Sequence, residues 1–390
     1  MESNSDQARS VETLRRPLFL WSLPFTFLYF SLPIISKTYG ASALEIGGLF
    51  TVFTVATLFL RPAAGWLLDR YGRKPFLVLA LLIYALAMGF FAFSQSLNAL
   101  YAARIVQGTG SAFLWAAVNT IVADLVPVRE RGKALGQLSQ TTTRGGIVGI
   151  FAAAVPMFLF PQDTGWKITF IGYALLTLAG AGLAWKRVPA TKSAQRTSHR
   201  QPLFSSALLR LLFVVLATAI PEGMLGPIYL IYLQDKFTTD MITIAWAFFP
   251  AGLVAAFLST RLGAVSDRFG RAPVMAIGLI GSGMVSLLMP ALPSLIWLAV
   301  LYTLSAVMGG LSEPAETAMV AELTGDDRLG TGYGVYDFVE SVGLAIGPLL
   351  GGMLYDSVGK PIPFYLNGVI LIISATWVLL FLRQRGSAES

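Results

Sequence analysis

No cysteine occurs anywhere in the 390 residues. Disulfides, thiolate metal sites and cysteine nucleophiles are therefore excluded. Histidine is nearly absent as well. The single His199 sits in a polar stretch and leaves little for an imidazole metal site or a histidine-based catalytic set. With no nucleotide-binding loop either, no enzymatic activity and no cofactor are expected. Charge is also scarce, at 13% of residues, where soluble domains carry about 25%. Apolar residues fill the space, at 55% of the chain and a mean hydropathy of +0.68. They come in runs, not stripes: Phe76–Phe93 holds no charge over 18 positions. A helix needs about 20 apolar residues to cross about 30 Å of hydrocarbon. The chain reads as an all-α integral membrane protein.

Apolar runs and their breakers define twelve expected spans, 17–36, 44–66, 76–94, 97–122, 132–159, 166–185, 203–232, 241–264, 274–291, 294–318, 331–355 and 362–382. The net charge of +7 does not point to nucleic acid, because the excess lies in short loops between the spans. Nineteen Lys and Arg fall in the termini and even-numbered loops, against Lys37, Lys167, Lys236 and Lys360 in the opposite loops. That asymmetry places both termini in the cytoplasm and the protein in the cytoplasmic (inner) membrane. No cleavable leader is expected, since a polar tail, 1–16, precedes the first span without a small-residue cleavage site. The expected organisation is that tail, a six-helix bundle over 17–185, a polar linker over 186–202, a second bundle over 203–382 and a cytoplasmic tail over 383–390.

The two bundles are copies of one unit. A shift of 198 residues lays "GWLLDRYGRKP", 65–75, over "GAVSDRFGRAP", 263–273. Under the same unbroken shift Gly132, Gly136, Gly145 and Gly149 match Gly330, Gly334, Gly343 and Gly347. Two parallel six-helix pseudo-repeats are a transporter architecture, with the substrate site near the midplane. The residues also resemble a known family, the major facilitator superfamily, and are closest in pattern to its proton-coupled drug and metabolite exporters. Its loop signature after the second helix, G-x-x-x-D-R-x-G-R-[KR], is filled by Gly65, Asp69, Arg70, Gly72, Arg73 and Lys74. "RIVQGTGSA", from Arg104, with Gln107 inside it, is similar to the fourth-helix signature, and "DLVPVRERG", from Asp124 through Arg131, to the loop after it. The resemblance covers the whole chain. It implies alternating access by a monomer that carries a small-molecule substrate across the lipid bilayer.

Gly65 and Gly72 lack a Cβ and permit close helix approach and a tight turn. The resemblance further implies that Asp69 caps the helix starting near residue 330 and that Arg73 pairs with Asp124. The repeat supplies counterparts in Asp267, Arg268, Gly270, Arg271 and Glu322. A charge cluster that forms in one state and opens in another is a conformational latch. The alternative is a topology signal, which would need only the bases.

Ionisable residues within spans are costly and usually functional. Away from helix ends the first half holds bases only, Arg61, Arg104 and Arg144, with Gln137 and Gln140 on the stripe of Arg144. The second half holds Glu222, Glu313, Glu316, Asp337 and Glu340, with Tyr333 and Tyr336 beside the last two. Either they line a cavity or they pair to hold the bundles together. Pro221, Gly223, Gly226 and Pro227 are expected to interrupt the helix around Glu222, as Pro24 and Pro33 interrupt helix one. Such matched breaks point to a transport site. There a carboxyl can exchange protons, which makes the proton the expected coupling ion. Trp21, Phe25 and Tyr29 share a face of helix one, and Tyr229 and Tyr232 follow Glu222, either walling a lipophilic substrate or packing.

One departure concerns the exporters' fifth-helix pattern, G-x-x-x-G-P-x-x-G-G. Helix five has Gly145 and Gly149 and then Ile150, Ala153 and Ala154, whereas helix eleven carries the full pattern at Gly343, Gly347, Pro348, Gly351 and Gly352. Export of a lipophilic or cationic molecule leads, followed by proton symport of an organic anion and by a non-transporting membrane sensor. The latch reading predicts that Asp69→Asn slows transport while leaving substrate affinity intact. Wild-type turnover in that variant, measured in proteoliposomes, contradicts it.

Overall fold

The computed structural model describes residues 2–126, 128–190, 205–324 and 329–381. The expected tail at 383–390 and the linker beyond residue 190 lie outside the described residues, as do the side chains of Asp69 and Arg261. Backbone N–H and C=O groups in hydrocarbon must be satisfied within their own segment, and a helix does this without a partner strand. The described residues accordingly form helices throughout, with no strand among them. Eleven are long and apolar enough to span a membrane, and Thr243–Val254 is a shorter apolar helix.

The chain divides into two compact units, one of residues 1–40 and 52–198, the other of 41–51 and 199–390. The helices in chain order are α1 (Glu2–Ser22), α2 (Pro24–Thr38), α3 (Ala43–Tyr71), α4 (Arg73–Ala92), α5 (Leu97–Leu125), α6 (Val128–Leu159) and α7 (Gln162–Arg187). They continue as α8 (Ser206–Lys236), α9 (Met241–Phe257), α10 (Ser259–Phe269), α11 (Arg271–Leu288), α12 (Leu295–Thr324), α13 (Leu329–Ser357) and α14 (Ile362–Phe381). Side-chain caps at Ser96, Ser205 and Asp240 start α5, α8 and α9. Gly72 (φ +87°) and Gly270 (φ +89°) make the turns into α4 and α11 in a conformation that disfavours any Cβ.

The repeat in sequence is a repeat in packing. α4 lies against α5 and α7 in the first unit, and its counterpart α11 lies against α12 and α14 in the second. The pair α8–α13 answers to α1 and α2 on α6. Trp21, Tyr84, Phe91 and Phe170 centre the first core, and Leu211, Met275, Ala315 and Ala375 the second.

The helix ends differ from expectation at three places. α1 extends through the expected polar tail and bends at Leu23, whose backbone stays helical (φ −49°, ψ −44°) just ahead of Pro24. The expected span 241–264 parts at Leu258 into α9 and α10. The expected interruption at Pro221–Pro227 does not occur: α8 runs unbroken for 31 residues. Each proline removes one intrahelical donor, which a span packed among other helices tolerates.

The glycine pattern of α13 explains how closely that packing is drawn. A Cβ on Gly347 would land on the Ile220 carbonyl, one on Gly343 against Ala219, and one on Gly351 against Met224. The three glycines, four residues apart, bring α13 backbone-to-backbone with α8 around Glu222. Gly347→Ala is therefore expected to cost about 1–3 kcal/mol by overpacking and to lower the unfolding temperature in detergent. Gly334→Ala, where a Cβ meets nothing within 4 Å, is expected to leave it unchanged or raise it slightly.

Candidate functional site

The α8–α13 crossing presents Glu222. Its neighbours Pro221, Gly223 and Met224 are buried while the Glu222 side chain itself is exposed, at mid-helix. Glu313 and Glu316 of α12 and Glu340 of α13 lie within electrostatic reach of it. Glu313 is exposed, Glu316 and Glu340 are half-buried, and the buried Tyr336 hydroxyl hydrogen-bonds Glu316. Four carboxyls thus converge within the second unit. A group of carboxyls within spanning helices is costly unless it has a function, and its charge suits a cation. Among the described residues no group of acids and histidines is arranged to hold a metal ion. Asp337, expected beside Glu340, is exposed, and Tyr333 of the same helix donates to the Thr317 carbonyl at 3.2 Å.

The basic residues of the first unit are arranged differently. Arg104 is buried; its Nη1 donates to Gln107 Oε1 at 2.8 Å, and Gln107 Nε2 donates to Tyr84 Oη at 2.9 Å. The guanidinium also lies 4.3 Å from the centre of the Phe53 ring, a favourable cation–π geometry in a dry setting. Phe53 was not foreseeable, because an apolar residue in an apolar helix carries no signal of its ring partner. Gln137, Gln140 and Arg144 form an exposed polar stripe on α6, flanked by the buried Ala134, Leu138 and Thr141. Arg61 is half-buried near the lower end of its span.

The aromatic residues pack. Tyr229 meets Tyr302 at 5.1 Å and Phe364 at 5.3 Å, and Tyr232 donates its hydroxyl to the Pro290 carbonyl. Trp21 meets Phe25 at 4.3 Å and Tyr84 at 5.3 Å, whereas Tyr29 of the same stripe is exposed.

Both expected ion pairs of the loop motif are formed. Arg73 Nε lies 3.0 Å from Asp124 Oδ2, with only 4% and 13% of the two side chains exposed. Arg73 Nη1 also donates to the Leu68 carbonyl at 3.2 Å, closing the turn at Gly72. In the second unit Arg271 Nε lies 3.1 Å from Glu322 Oε1, but this pair is 27% and 58% exposed. Arg131 donates to the Val126 and Ala123 carbonyls and so caps the C-terminus of α5. Arg70 lies over Trp66 and Tyr71, and Arg268 over Phe269, while Asp267 is exposed. Among the described residues the close approach expected at Gly65 is not found, since a Cβ there would meet nothing of theirs within 4 Å. Sequence reading also missed Asp356, which accepts from the first backbone N–H groups of α3. No charge-within-span or repeat criterion selects it, because it stands at a helix end and has no acidic counterpart 198 residues earlier.

The chain belongs to the Major Facilitator Superfamily, whose family profile matches residues 18–220 and again 211–390. It is a multi-pass membrane transporter of that family. It is 25% identical over 353 residues to "Multidrug resistance protein 1" of Bacillus subtilis, covering 87% of this chain and 88% of that one. It is 22% identical over 380 residues to a "Multi-drug resistance efflux pump PmrA homolog" of Lactococcus lactis, covering 95% and 94%. Among solved structures it shares its fold with a bacterial homolog of the human lysosomal transporter Spinster, at a TM-score of 0.79 and 17% identity over 96% of both chains.

The two ion pairs differ in burial, and their removal is expected to differ accordingly. Arg73→Ala strands a mostly buried Asp124 and is expected to cost about 3 kcal/mol or more. Arg271→Ala, at the more exposed pair, is expected to cost under about 1 kcal/mol. Thermal unfolding of the two variants in detergent checks the order.

Proposed function

We propose that the protein is a proton-coupled exporter of lipophilic, cationic small molecules, acting as a monomer in the cytoplasmic membrane with both termini in the cytoplasm. The convergence of Glu222, Glu313, Glu316 and Glu340 carries this reading. A cluster of acids inside the span region attracts a cation, and protons compete with that cation for the carboxylates. One site can then exchange drug for proton across the cycle. The names of the Bacillus and Lactococcus relatives, multidrug resistance and multi-drug efflux, support export of drugs. The uneven distribution of basic loops supports the orientation.

A second reading is proton-driven uptake of an organic anion, favoured by Arg144 and the exposed polar stripe around it on α6. Two probes in proteoliposomes with an imposed pH gradient separate the readings: ethidium as the lipophilic cation and salicylate as the organic anion. Wild-type protein is expected to drive ethidium against its gradient and Glu222→Gln is expected to lose that coupling. Wild-type accumulation by Glu222→Gln removes Glu222 from the coupling role. Salicylate movement without ethidium movement favours the symporter.

A further inference from the structure

The first turn of an α-helix has N–H groups with no acceptor inside the helix. In α3 the local sequence satisfies two of these needs by itself. The Ser42 hydroxyl accepts from the Glu45 N–H, and the Glu45 carboxylate accepts from the Ser42 N–H at 2.9 Å, a reciprocal capping box. The N–H groups of Ala43 and Leu44 go elsewhere. They donate to Asp356, at 3.2 Å to Oδ1 and 2.8 Å to Oδ2. One carboxylate therefore straddles the positive end of α3 from the last turn of α13, by two charge-assisted bonds. Because the capping box starts α3 on its own, these bonds tie two helices together and are not needed to begin one.

Residues 41–51 group with the second unit, so this contact is internal to it, although the rest of α3 belongs to the first unit. Below Asp356 the seam is built from backbone. A Cβ on Gly352 would land on the Ala43 carbonyl and one on Gly47 on the Pro348 carbonyl, and the Thr51 hydroxyl donates to the Ala345 carbonyl at 2.7 Å. Asp356 is itself held in place, since the adjacent Tyr355 donates to Asp235 Oδ2 at 2.8 Å and Lys360 pairs with the same oxygen at 3.0 Å. The last turn of α13 is thereby fixed to the end of α8.

We propose that Asp356 is a second latch residue, at the end of α3 opposite the Arg73–Asp124 pair. Its carboxylate holds the start of α3 on the end of α13, and transport breaks these two bonds each time the seam opens. The 29 residues of α3 make a rod about 40 Å long. One rod thus carries a releasable polar contact at or just beyond each end, with a contact of small residues and bare backbone next to the Asp356 end.

The cysteine-free sequence allows a direct test. Ala43 is buried in the seam, and Ala375 is buried in the core of the second unit. Single variants Ala43→Cys and Ala375→Cys are reconstituted in liposomes and reacted with a membrane-impermeant maleimide. Asp356→Ala is expected to raise the reaction rate at position 43 about tenfold, the scale of losing charged hydrogen bonds, and to leave position 375 unreactive. Asp356→Asn keeps one acceptor oxygen and is expected to fall between. Unchanged labelling at position 43 in both variants overturns the proposal, and so does an equal rise at positions 43 and 375, which marks general loosening. The readout needs no substrate, so it fails or succeeds independently of what the protein carries.

Discussion

A charge placed in hydrocarbon has to be paired, reached by water or neutralised, and that constraint governs nearly every informative residue of this protein. Arg104 is buried and answered by Gln107 and the face of Phe53. Arg73 and Asp124 answer each other. Glu222 is answered by no base among its named neighbours. Its named neighbours are other acids, which is why the proposed function turns on it.

The glycine pattern on α13 links that chemistry to the fold. In sequence it looks displaced, since the exporters of this family carry it on helix five. In the structure its glycines draw α13 onto α8 beside Glu222, while Pro348 and Gly352 meet Gly47 and Ala43 of α3. One short run of small residues thus sets both the position of the acidic cluster and the seam that Asp356 closes. The helix cannot change its approach on one side without backbone contacts changing on the other.

Much of this was legible from residue order because membrane proteins leave few options. Twelve apolar runs, the 198-residue repeat and the twice-used Asp-Arg-Gly turn specify the fold, and the ion pairs Arg73–Asp124 and Arg271–Glu322 follow from the motif. What stayed hidden depends on side-chain surroundings. The prolines of α8 looked like a break and are absorbed in a continuous helix, because neighbouring packing decides whether a lost hydrogen bond ends a span. Gly65 looked like a close contact and meets nothing among the described residues, whereas Gly347 does. Tyr229 is held in an aromatic cluster with Tyr302 and Phe364. Asp356, just past the expected span 331–355, drew no notice in the sequence and is the acceptor for the start of another helix.

The central claim is that Glu222 takes up and releases a proton as the protein works. Infrared difference spectroscopy between acid and alkaline buffers reads the carboxyl stretch directly. The account predicts a protonated-carboxyl band that titrates in the wild-type protein, shifts when ethidium is added, and is lost in Glu222→Gln. An unchanged band in Glu222→Gln, or one indifferent to ethidium, would contradict it.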